Sequence, residues 1–266
     1  MGKTPFRPDQ NGFAFINRWH FQAEESAEIR QSMLRPATEQ GLRLAKPQQN
    51  SMFGLNSLFQ SGIDAQVKSW LNTQVPDGYG LCGGMAFAAA DHFIAGKPLP
   101  RGLHENDHPT NDTPYGKALR SYLWDRQRDS LAGNASTLLG WMAMLHFDIA
   151  GLGGADWLLE RTREEFAELK RYIDSGKPWP ICLVGTSMSP FDNHQVLCYG
   201  YDDNGDGTSM IYLYDMNCPG REHITRLDMR GKQLEAQESC PGPHRGPLRA
   251  FFCNNYTPEP PPALRA

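Results

Sequence analysis

After Gly176 the chain changes its periodicity, and that change narrows the folds open to it. Downstream lie "WPICLVG", "HQVLCYGYD", "MIYLYD", "HITRLDM" and "RAFFCNNY", short β-type runs set apart by turn residues. Upstream, apolar residues recur at helical spacing. Helices are expected over 23–34, 63–74, 82–95, 114 to about 130, 137–147 and 156–174. The last is the most amphipathic, with Leu159, Phe166, Leu169 and Ile173 inward and Gly176 as its stop. Helices first and strands afterwards specify an α+β fold with a mostly antiparallel sheet. "DDNGDGT" joins the second and third runs as a hairpin connection.

At 266 residues the chain is long enough for a sizeable core, and 39% hydrophobic with 21% charged residues is a globular balance. One domain is expected over 1–255: an extension at 1–60 that clasps the core, a mainly helical half at 61–175 and a mainly β half at 176–255. The proline-rich tail 256–266 reads as an extended, poorly ordered end. A net charge of −4 offers no basic field for nucleic acid or an anionic membrane. The N-terminus "MGKTPFRPDQ" lacks an apolar signal core, and the longest apolar window, 136–159, carries His146, Asp148 and Asp156. The expected location is the cytoplasm, or the outside by a route that needs no signal peptide. Six cysteines (82, 182, 198, 218, 240 and 253) are an even number, yet a chain of this length does not depend on disulfides. Cys182 and Cys198 lie in apolar runs, where a thiol acts as a small hydrophobe.

The chemistry points to "GYGLCGGMAFAAADHF", residues 78–93. Cys82 stands where a glycine-bearing loop enters a helix. The unpaired N–H groups and positive dipole end of a helix N-terminus favour a thiolate, the nucleophilic form of cysteine. The bare backbone of Gly83 and Gly84 suits close approach of a carbonyl to the Cys82 N–H, a natural oxyanion donor. The alternative is a buried cysteine at a glycine-rich junction. A nucleophilic cysteine needs a histidine, and that histidine needs an orienting group. His194 opens the strand "HQVLCYGYD", and Asp215 closes the next one, which the hairpin folds back beside it.

Other strings mislead. "HENDH" at 104–108 spells a zinc-peptidase motif, but Pro98, Pro100, Gly102 and Pro109 deny it a regular helix. "DDNGDG" opens like a calcium loop, but its twelfth position is Leu213, not glutamate. No phosphate-binding glycine motif occurs. No metal and no cofactor is expected.

Taken together, "GLCGGMAFAAADHF", "SGKPWPICLVG", "NHQVLCYGYDD" and "MIYLYDMNCPG" resemble the papain-like cysteine peptidase superfamily. The layout is most similar to bacterial domains that process bacteriocin leaders, over roughly residues 70–220. The resemblance implies a nucleophile-bearing helix packed against the C-terminal sheet, with Cys82 as nucleophile, His194 as general base and acid, and Asp215 as orienter. The Cys82 N–H would hold the oxyanion, with Gln74 as the nearest match to the family's usual glutamine donor. The implied activity is hydrolysis of a peptide or other amide in a peptide or protein substrate. Deamidation or acyl transfer on the same triad, and a papain-fold binding module without turnover, are the alternatives. A metal hydrolase built on His104 and His108 is a more distant one.

Overall fold

The computed structural model describes residues 1–19, 22–49, 80–102, 112–147, 154–240 and 246–264, with isolated positions at 69–73 and 104–109. The chain forms β1 (Gly2–Lys3), α1 (Pro8–Asn11), α2 (Ala23–Gln49), α3 (Cys82–Ile94), α4 (Pro114–Phe147) and α5 (Gly154–Asp174). Six strands follow: β2 (Trp179–Gly185), β3 (His194–Asp203), β4 (Thr208–Tyr214), β5 (His223–Asp228), β6 (Glu235–Glu238) and β7 (Leu248–Cys253). The fold is α+β, and every strand pair is antiparallel, in the order β6-β5-β4-β3-β2-β7. The expected helix at 63–74 lies almost wholly outside the described residues. None of the described helices is long and apolar enough to cross a membrane.

Helix α3 is the centre of the molecule. Its residues Cys82 to His92 are all buried, as expected of a helix that is apolar around its whole circumference. Ala86, Ala88, Ala89 and Ala90 keep it thin, so the sheet on one side and α4 on the other both come close. The diglycine after Cys82 belongs to this packing. A Cβ on Gly84 would lie 2.1 Å from the Leu123 carbonyl oxygen of α4, and one on Gly83 would lie 2.5 Å from Ser130 Oγ. The glycines therefore let two helix backbones approach, which corrects their assignment to substrate access. The amphipathic α5 buries Leu158, Leu159, Phe166, Leu169 and Ile173, each such side chain contributing about 1.5–3 kcal/mol.

The two helices expected at 114–130 and 137–147 are one, α4. The residues after β7 account for its continuity through Gly133 and Asn134. Asn134 Nδ2 donates to the Ser130 carbonyl at 2.8 Å, while its Oδ1 accepts the Asn255 N–H at 2.7 Å. The helix end that Gly133-Asn134 would allow is thus held shut by a neighbouring strand of chain. The α2 helix likewise runs beyond its expected end, through Pro36 to Gln49.

The tail is not a loose end over its described part, a second correction. Asp91 on α3 is 1% exposed and pairs with Arg126 of α4 at 2.9 Å. The remaining acceptor capacity of its carboxylate is filled by Tyr122 Oη (3.0 Å), Tyr256 Oη (2.6 Å) and the Glu259 N–H (2.9 Å). Two of those three donors come from the tail, which also accepts from Arg126 through the Thr257 carbonyl and from Lys97 through that of Pro261. A buried charge is tolerated only when paired and hydrogen-bonded, and the tail completes the set.

The N-terminal segment is a clasp in the structural sense. Lys3 pairs with Gly200 where β3 runs past β2, and Phe6, Phe13 and Phe15 enter the core at 2% exposure or less. The Phe13 N–H donates to the buried Tyr214 hydroxyl at 3.0 Å. The Asp202–Thr208 connection is a hairpin whose Asp206 carboxylate caps the Thr208 N–H at 2.8 Å, with Gly205 and Gly207 at φ of +73° and +88°.

Candidate active site

Cys82 is the first residue of α3. The preceding Leu81 has no side-chain cap; its carbonyl accepts the Met85 N–H, and the Gly84 N–H is taken by Gln127 Oε1 of α4 at 2.9 Å. The sulfur thus heads a helix whose first turn is secured from the side, with the dipole's positive end beneath it.

His194 begins β3 opposite Leu183 of β2. The β3–β4 register pairs Leu197 with Tyr214, so its continuation sets Asp215 opposite Val196, diagonal to His194 on the same face. His194 Nε2 lies 2.9 Å from Asp215 Oδ1, and the ring also hydrogen-bonds the Cys82 thiol. With Nε2 donating to the carboxylate, Nδ1 is the nitrogen that serves the sulfur. The structure therefore brings Cys82, His194 and Asp215 together from three separate elements.

All three are nearly closed off, at 2%, 1% and 4% exposure. Burial of the ring opposes its charged form, but the Asp215 charge and hydrogen bond, helped by Cys82, outweigh it and push His194 up to about 10. Burial likewise opposes ionisation of Asp215, yet His194 and the Asn217 N–H hold its carboxyl below the usual range. This favours an imidazolium sandwiched between a carboxylate and a sulfur. Cys182, on β2, is the contrasting thiol: burial, then the nearby Cys82 charge, push it far up, leaving it inert.

Several contributors gave no sequence signal. The Asn217 N–H donates to Asp215 Oδ1 at 2.8 Å, and its side-chain amide lies 3.2 Å from His194 Nε2. Asn17 Nδ2 in turn donates to Asn217 Oδ1 at 3.3 Å. Asn17 also donates its N–H to the Met216 carbonyl at 2.9 Å, so the N-terminal clasp holds the turn that carries Asp215. Next to the histidine, Gln195 accepts from Ser130 Oγ at 2.6 Å and from Asn254, fixing β3 to α4.

Gln74 lies outside the described residues. So do Glu105 and His108, while His104 is exposed in a bend where its N–H meets Asp107 Oδ2 at 2.7 Å. Among the described residues the cysteines comprise one disulfide, Cys218–Cys240, and the free thiols of Cys82, Cys182, Cys198 and Cys253. The sequence alone left the redox state of Cys218 and Cys240 open, while Cys182 and Cys198, read as small buried hydrophobes, are free thiols. Compared with models of protein families, with curated proteins and with solved structures, the chain matches none.

Proposed function

We propose that the chain is a papain-like thiol hydrolase that cleaves a peptide or other amide bond through an acyl-enzyme. The observation carrying this reading is the His194 ring, bonded to Asp215 at 2.9 Å on one side and to Cys82 on the other. The Cys82 thiolate attacks the carbonyl carbon, and the oxyanion forms against the Cys82 N–H at the helix start. His194 gives its proton to the leaving amine. Neutral His194 then takes a proton from water, whose oxygen displaces the sulfur and restores the thiolate–imidazolium pair. Gln74 is the second oxyanion donor that the family resemblance suggests. Deamidation and acyl transfer use the same steps with a different leaving group or acceptor.

A papain-fold binding module without turnover is the second reading, favoured by the near-complete burial of Cys82 and His194. An activity-based thiol probe separates the two. Wild type should be labelled and Cys82→Ala spared, with small alkylating reagents reacting faster than bulky ones at so enclosed a sulfur. Equal labelling of both proteins, or labelling confined to another cysteine, would remove the hydrolase.

A further inference from the structure

Three metal-type donors outside the triad converge beside the start of β5. Cys218, His223 and Cys240 each offer a ligand atom, and these atoms all lie within 4.8 Å of one another. In the structure the two sulfurs are bonded as a disulfide. A disulfide has no need of a histidine, yet His223 is 7% exposed with its ring set against the pair. Its Nε2 donates to the Cys218 carbonyl at 2.8 Å, which fixes the tautomer and leaves the lone pair on Nδ1. A backbone carbonyl holding the far nitrogen of a histidine is the usual support for a metal ligand. Among the described residues, Nδ1 meets a long 3.4 Å contact to Ser239 Oγ. The sequence adds an independent sign. Both cysteines open the same tripeptide, Cys-Pro-Gly, and Gly220 turns the chain at φ +75° so that His223 returns to Cys218.

We propose that the reduced protein binds a zinc ion through Cys218 Sγ, Cys240 Sγ and His223 Nδ1. Two thiolates and an imidazole are the donor set of this borderline-soft ion, and three protein ligands leave a fourth position for water or another donor. Reduction by a dithiol delivers two electrons and two protons to the sulfur–sulfur bond. The resulting thiols lose those protons to solvent as the ion binds. The site adjoins the candidate catalytic turn: the Cys218 N–H donates to the Asp215 carbonyl at 3.1 Å. Either cross-link, metal or disulfide, ties that turn to the end of β6.

The test is metal uptake by the full chain, which does not depend on hydrolysis. Dithiol-reduced wild type, exchanged anaerobically into metal-free buffer and titrated with zinc, should retain about one ion per chain by elemental analysis. Cobalt(II) in its place should give a thiolate charge-transfer band. The disulfide form should take up none, Cys240→Ser should lose the band, and His223→Ala should weaken binding at least about tenfold. Cys82→Ala should bind as wild type does, so failure of the triad leaves this result readable. Reduced wild type that takes up no ion, or takes it up equally when oxidised, overturns the proposal. The wild-type comparison decides even where the variants fail to fold.

Discussion

Asp215→Asn should slow amide turnover by about 10³–10⁴-fold while the protein stays folded, because the ring keeps its place but loses the charge that sets its tautomer and proton affinity. The pH dependence carries the distinguishing information. In wild type the folded His194 is raised to about 10 from an ordinary value near 6.5, so its stabilising contribution is complete below the lower value and disappears as pH rises through the upper one. Asp215 is depressed, so its contribution is present above the ordinary carboxylate range, about 3.9, and is lost on acidification through its folded value. Between these limits the sulfur faces an imidazolium. Alkylation of Cys82 in wild type should therefore stay nearly level from about pH 6 to pH 9, where a free thiol with a pKa near ~8.5 would gain steeply. In Asp215→Asn the profile should regain that slope. An unchanged, level profile in the variant would show that the carboxylate does not govern the pair.

The largest effect on stability is expected from Asp91→Ala, about 3–5 kcal/mol in urea unfolding, the cost of stranding one partner of a buried ion pair. The Arg126 side chain is only 3% exposed, so water cannot replace the missing carboxylate. Its other acidic neighbours, Asp129 and Glu259, are about half exposed and engage only its Nη1. Tyr256→Phe should cost less, about 1 kcal/mol, as the loss of a single hydrogen bond. The double variant should fall short of the sum, because both changes act on the same carboxylate. A loss below about 1 kcal/mol for Asp91→Ala would mean that the tail and α4 find other partners for Arg126.

The residues with local signatures were legible in the sequence. Cys82 at a loop-to-helix junction, the short β-type runs that become β2 to β5 and β7, and the hairpin that folds Asp215 toward His194 all follow from patterns within a few residues. Features whose cause lies far away in sequence were not. Helix α4 continues through Gly133 and Asn134 because Asn255, about 120 residues on, holds Asn134 in place. The diglycine looks like an invitation to substrate until Leu123 and Ser130 of α4 occupy the space. Strand β6, "EAQE", has no apolar alternation to betray it, being an edge strand with charged ends. Asn17 carried no signal at all, since its meaning depends on an amide partner two hundred residues away.

That separation sets the order of events in folding. The turn bearing the acid is latched by Asn17 through the Met216 carbonyl, a contact that exists only once a loop of some two hundred residues has closed. Local helices form early, whereas closure of so long a loop comes late and slowly. After dilution from denaturant, helical circular dichroism should therefore return well before the sulfur becomes quick to alkylate at neutral pH. A hydrolase built this way would stay chemically silent as a half-formed chain, harmless to its neighbours and to itself until its two ends had met.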